Sequence, residues 1–84
     1  MTQAEILEMI TPVFRKVLGD QQLVLKHDHT AMDFEHWDSI NHVIIMARIE
    51  KLMRIRLETA EMIQLKSVGD LVELIGQKQS ADEN

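Results

Sequence analysis

The sequence predicts a small all-α protein: a four-helix bundle of two long helices, one short and one medium, with a long loop between helices 1 and 2. Three observations predict it. Apolar residues recur at helical spacing in four separate segments. Strand patterns are nearly absent, the alternating stretch Arg54-Ile55-Arg56-Leu57 being the exception. With 84 residues, no cysteine and 45% apolar residues, the chain must hold one domain together by apolar packing alone.

Helix 1 is predicted over 2–18. Ile6, Ile10, Val13, Phe14 and Val17 share one face. Thr2 and Glu5 have the spacing of a capping box, and Gly19 is a natural stop. Pro12 lies inside this pattern. Because the apolar stripe keeps its phase across it, one kinked helix is expected; the alternative is a break with Thr11 as N-cap and Pro12 at the first helical position. From 20 to 37 no period is sustained. A structureless loop of this length is either functional or packed by its own side chains. Leu23, Val24, Leu25, Met32, Phe34 and Trp37 are therefore expected to pin it to the core.

Helix 2 is predicted over 39–53, with Asp38 as N-cap, Ile45, Met46, Ile49 and Met53 buried, and Glu50 paired to Arg54 on the outside. Residues 54–57 are expected to be extended. A short helix follows over 60–65 with Thr59 as cap. The last helix starts at Ser67, with Asp70 three residues on, carries the stripe Val68, Leu71, Val72 and Ile75, and is expected to stop at Gly76. The folded domain is thus expected to span 1–77, leaving 78–84 as a flexible polar tail. Met46, Met53 and Met62 read as core filling.

The charge narrows the partners. Nine Lys and Arg against fourteen Asp and Glu leave a net −5. An acidic domain is poorly suited to a nucleic-acid backbone, which requires a basic surface. No apolar run approaches the ~18 residues of a membrane span. The first residues lack the basic and apolar regions of an export signal; with the absence of cysteine, this points to the cytoplasm. A monomer is expected.

Four histidines, His27, His29, His36 and His42, fit no zinc spacing and read as exposed loop side chains. The stretch from Asp28 to Ser39 lacks the turn glycine and the final glutamate of an EF-hand loop. A hydrolase built on Ser39 with His36 or His42 would need a pocket and an oxyanion hole, for which 84 residues leave little room. No metal and no catalytic residue is therefore expected. Ser39 itself stands at the first turn of a helix, where a phosphate ester would lie at the positive end of the helix dipole. Asp38 beside it offers a carboxylate to a metal ion in a modifying enzyme. The plainer reading is that Asp38-Ser39 is only a helix cap.

The order of these features resembles the acyl carrier proteins over residues 4–76. Asp38-Ser39-Ile40 matches the family's Asp-Ser-Leu/Ile motif at the start of helix 2. Thr30-Ala31, Asp33 and Trp37 lie upstream of it; Asn41-His42-Val43, Ile49-Glu50-Lys51 and the segment from Leu65 to Ile75 follow. The resemblance implies that family's four-helix bundle. It also implies that Ser39 carries a 4′-phosphopantetheine arm, installed from coenzyme A by a phosphopantetheinyl transferase, whose thiol holds an acyl group as a thioester. The reactive sulfur would then come from the cofactor, which fits a chain without cysteine. Such a protein is a carrier and not an enzyme. Its further partners would be an acyl-loading ligase or acyltransferase and the synthases or transferases that accept the acyl group.

Departures from the family pattern point to a particular member. Carriers of primary fatty acid synthesis are acidic along helix 2, whereas this helix holds Arg48 and Lys51, with Arg54 and Arg56 beyond, and Ile44 where a glutamate is common. The glycine usual before the motif is replaced by His36-Trp37, and tryptophan there resembles carriers of polyketide-type pathways. Ile40, Ile44 and Ala47 form an outward stripe that, with Lys51, is the expected docking surface. A discrete, specialised acyl carrier is the reading these residues favour. The alternatives are a housekeeping fatty-acid carrier and, from another class, a helical interaction module without a prosthetic group.

Overall fold

The computed structural model describes residues 1–82. Four α-helices follow one another, α1 (Gln3–Leu18), α2 (Ser39–Met53), α3 (Thr59–Gln64) and α4 (Val68–Asp82), with one turn of 3-10 helix at Ala31–Asp33. No strand occurs among the described residues. Residues 55–58 are irregular, and the alternation expected there survives only as burial: Ile55 and Leu57 point inward, Arg56 outward.

Each helix end has a local cause. Thr2 caps α1: its side chain accepts from the Glu5 N–H, and Glu5 accepts from the Thr2 N–H at 2.8 Å. Gly19 closes α1 in the left-handed region at φ 71°. Pro12 sits on the exposed side of an unbroken helix, so the break at Thr11 does not occur; the Thr11 hydroxyl instead donates back to the Leu7 carbonyl at 2.7 Å. Asp38 caps α2, which spans the predicted residues. Arg54 ends α2 with φ 57°. The expected Glu50–Arg54 pair is absent. Glu50 Oε2 accepts the Leu57 N–H at 2.9 Å, tying the chain after α2 back onto the helix. α3 begins one residue earlier than predicted, with Glu58 rather than Thr59 at its N-cap position.

The α4 prediction fails at its C-terminal end. The helix runs through Gly76 to Asp82, because a glycine stops a helix only where the chain turns left-handed, and Gly76 keeps helical geometry. Residues 78–82 are therefore helix and not tail, and Lys78 forms an ion pair with Glu61 of α3 at 2.8 Å. Residues 83 and 84 lie outside the described part.

The core is one cluster. Ile6, Ile10 and Phe14 of α1, Ile45, Met46 and Ile49 of α2, and Val68, Leu71, Val72 and Ile75 of α4 are almost wholly excluded from solvent. Met53 is buried as well, while Met62 is only half-buried. The long loop is pinned by fewer residues than expected. Leu23, Leu25 and Trp37 are buried and Phe34 half-buried, but Val24 is 63% and Met32 95% exposed. Backbone bonds supply the rest. The Val68 and Gly69 N–H groups donate to the carbonyls of His29 and His27, both at 2.8 Å, so the loop satisfies the first turn of α4.

Candidate functional site

Ser39 is the first residue of α2 and is exposed. Short local contacts fix the junction before it. Asp38 Oδ1 accepts the Asn41 N–H at 2.8 Å, and the Asp38 carbonyl accepts the His42 N–H at 2.8 Å. The Asn41 side chain donates to the His36 carbonyl at 2.7 Å. Upstream, Asp33 accepts from the Thr30 N–H at 2.8 Å, and the Trp37 N–H donates to the Phe34 carbonyl at 3.2 Å. The cap therefore exists, as the plainer reading of Asp38 holds, and its effect is to present the Ser39 hydroxyl to solvent at the positive end of a 15-residue helix.

Trp37 anchors this junction. Its ring packs edge-on against Phe14 at 5.0 Å and stacks on His42 at 5.9 Å. The indole N–H donates to His42 Nδ1 at 2.9 Å. An indole is a donor only, so His42 Nδ1 is the accepting nitrogen and the proton sits on Nε2, which donates to the Met62 carbonyl of α3 at 3.2 Å. His42 is thus a half-buried bridge between the loop, α2 and α3, not the exposed loop side chain the sequence suggested. His29 is also half-buried, its Nδ1 accepting the Lys26 N–H at 3.1 Å with the ring edge-on to Phe34. His27 and His36 are exposed. Among the described residues, no group of three His, Asp or Glu side chains comes together at metal-binding distance.

Beside Ser39 a cleft of about 400 Å³ opens between α2 and α3. Val43 and Met46 form its α2 wall, Met62 and Ile63 its α3 wall, Leu71 its floor, and Trp37 and His42 its inner corner. The α3 wall is weakly anchored: the helix has no fully buried residue. It is held by half-buried Met62, by the His42 bond and by the Glu61–Lys78 ion pair. The sequence alone placed Asp38 and Ser39 at the start of α2, as observed, but gave no expectation of this cleft. The one available signal was the pair Met62-Ile63 in a helix too short to bury both.

The stripe expected on α2 faces outward. Ile40 is 72% and Ile44 39% exposed, Ala47 and Lys51 are exposed, and Val43 at 61% adjoins them on the cleft side. Each lies on the same helix as Ser39. No helix among the described residues is long and apolar enough to cross a membrane.

No family model matches the chain, and no curated protein does. A solved structure does match: the solution NMR structure of the holo acyl carrier protein from Geobacter metallireducens. It superposes with a TM-score of 0.84 at 34% identity, covering 92% of this chain and 88% of that one. A chain that shares this helical frame and a third of its residues with a holo acyl carrier protein belongs to the acyl carrier protein family, a family of carriers and not of enzymes.

Proposed function

We propose that Ser39 carries a 4′-phosphopantetheine arm and that the protein presents acyl intermediates, held as thioesters, to the enzymes of a specialised, polyketide-like pathway. The observation that carries this reading is the exposed Ser39 hydroxyl at the first turn of α2, at the mouth of an apolar cleft. A phosphodiester on that oxygen lies where the helix dipole favours negative charge, with the Ser39 and Ile40 N–H groups at the exposed helix start. The cleft has apolar walls that suit the covering of an acyl chain close to the arm, and its α3 wall is held by few contacts. The comparison structure is a holo carrier, which supports the same group here.

In this reading Asp38 has two roles: it caps α2, and its carboxylate would help hold the metal ion of a modifying transferase. Ile40, Ile44, Ala47 and Lys51 form the docking face for that transferase, for an acyl-loading ligase or acyltransferase, and for the synthases or transferases that accept the cargo. The tether raises the local concentration of cargo at each docked enzyme. Trp37 before the motif and the cationic α2 favour the specialised pathway over housekeeping fatty acid synthesis. The carrier works as a monomer in the cytoplasm.

The test is intact-protein mass spectrometry after incubation with coenzyme A, Mg²⁺ and a promiscuous phosphopantetheinyl transferase, with Ser39→Ala alongside. One phosphopantetheine adduct is expected on the wild type and none on the variant. A folded wild type that gains no mass overturns the assignment of the arm.

A further inference from the structure

Charge is segregated on this molecule. Residues 39–56, α2 and the turn after it, hold four of the nine Lys and Arg residues and a single Glu; the rest of the chain holds five basic residues against thirteen acidic ones. The single acid on that stretch, Glu50, is occupied by the Leu57 N–H. The cations are not balanced from within their own helix. The residues three and four positions from Arg48 are Ile44, Ile45, Lys51 and Leu52; those around Lys51 are Ala47, Arg48, Arg54 and Ile55. Like charges at this spacing repel by a few tenths of a kcal/mol. Among the described residues, neither Arg48 nor Lys51 forms an ion pair.

These two cations meet a third across a groove. Between α1 and α2 lies a depression of about 440 Å³, floored by Met9, Val13 and Leu52 and rimmed by Lys16, Arg48 and Lys51. Met9 and Leu52 are 37% and 43% exposed and Val13 is half-buried, so apolar surface remains open to solvent between three positive charges. Lys16 likewise has no ion pair among the described residues. On the α1 side, Glu5 shares the stripe of Met9, Pro12 and Lys16, but its carboxylate is bound at the helix start by the Thr2 N–H. Lys51 belongs both to this rim and to the outward stripe of α2, so the groove continues that face on the side away from the α2–α3 cleft.

We infer that this α1–α2 groove is a docking site for a partner protein whose surface presents an apolar side chain flanked by Asp or Glu carboxylates. The apolar anchor enters between Met9, Val13 and Leu52, and the carboxylates meet Lys16, Arg48 and Lys51. Charge complementarity fixes the sign of the partner. Scale fixes its class: a membrane or a nucleic acid is an extended anionic body that meets the whole molecule, whose net charge is −5 and repels it, whereas a protein patch within about 8 Å, one screening length, responds to the local cations. The inference rests on the chemistry of the groove and not on the arm at Ser39.

The experiment places a photo-crosslinking amino acid at Leu52 of the full-length protein in its native cells and sequences the crosslinked peptides. The expected result is a protein segment with carboxylates around an apolar residue. Its crosslink yield should fall at least tenfold in R48E/K51E and recover when the partner's carboxylates are changed to Lys in that background. R48Q/K51Q should give an intermediate yield, and far-UV circular dichroism should confirm that all variants fold. Crosslinks to lipid, to nucleic acid or to a basic segment, an R48E/K51E yield equal to wild type, or no crosslinked protein at all would each overturn it. Ser39→Ala separates the two readings: the crosslink should persist there, so that a carrier without an arm and a groove without a partner give different results.

Discussion

At the residue scale, the Asp38 cap was legible in the sequence because a cap depends only on its immediate neighbours. A cap needs only an N–H three residues on, and Asn41 supplies it at 2.8 Å. His42 was not legible, because its role comes from partners that only the fold brings to it. Trp37 is five residues away and Met62 twenty, and each bonds a different ring nitrogen. The arrangement has an energetic consequence. Trp37 is 9% exposed, so removing the imidazole leaves its indole N–H without an acceptor, at a cost of about 1–3 kcal/mol. His42→Ala should therefore lower the unfolding free energy by that amount in urea titration. In a Trp37→Phe background, where no N–H remains to be stranded, the same change should cost about 1 kcal/mol less. Equal costs in both backgrounds would show that the bond contributes nothing beyond packing.

At the scale of elements, the starts of the three long helices followed from capping chemistry, while the start of α3 and the end of α4 did not. Thr2, Asp38 and Ser67 each stand where a side-chain oxygen accepts an N–H of the first turn. Gly76 looked like a stop because it follows the last apolar residue of the stripe. Yet Gln77 to Ser80 contain no breaker, and Lys78 reaches Glu61. A helical glycine with space around it is a weak point. A Cβ on Gly76 would sit 3.6 Å from the Ile6 side chain, an ordinary contact. Gly76→Ala should thus raise stability by roughly 0.5–1 kcal/mol. Gly69 behaves oppositely: its Cβ would lie 3.0 Å from the His27 carbonyl oxygen, which accepts the N–H of that same residue. Gly69→Ala should destabilise by about 1–3 kcal/mol and loosen the loop from α4. Thermal melts of the two variants, shifted in opposite directions, check both.

The α3–α4 tie adds a pH dependence. The Lys78 ammonium, then the Glu58 N–H, hold the Glu61 carboxyl below the ordinary glutamate range. A carboxyl lowered in the folded state stabilises the fold above its unfolded pKa and loses that contribution as the pH falls through the folded one. Glu61→Gln should flatten the acid limb of a stability–pH curve and leave the neutral-to-basic side parallel to wild type. Denaturant midpoints measured down to about pH 3 give the comparison.

On the scale of the whole molecule, the apolar periodicities located the core, but its centre was not predictable from any one of them. Phe14 lies on α1, yet it is fully buried because Trp37, from the loop, closes over it edge-on. Helix and loop share one cluster, so the loop that positions Ser39 is part of the fold's stability and not an addition to it. The groove between α1 and α2 was hidden for the related reason that its two walls are far apart in the chain. This dependence on one cluster sets the tolerance of the fold. Replacing a buried phenylalanine with alanine costs about 3–5 kcal/mol, and small domains are stable by only about 5–15 kcal/mol in all. Phe14→Ala should accordingly remove most of the cooperative transition at room temperature. Because the sole tryptophan packs on that ring, its fluorescence and the far-UV signal should then report the same loss together. Were the helices to survive in Phe14→Ala while Trp37 alone became solvent-exposed, the loop would be a separate unit. Ser39 would then be presented by α2 without the support of the aromatic pair.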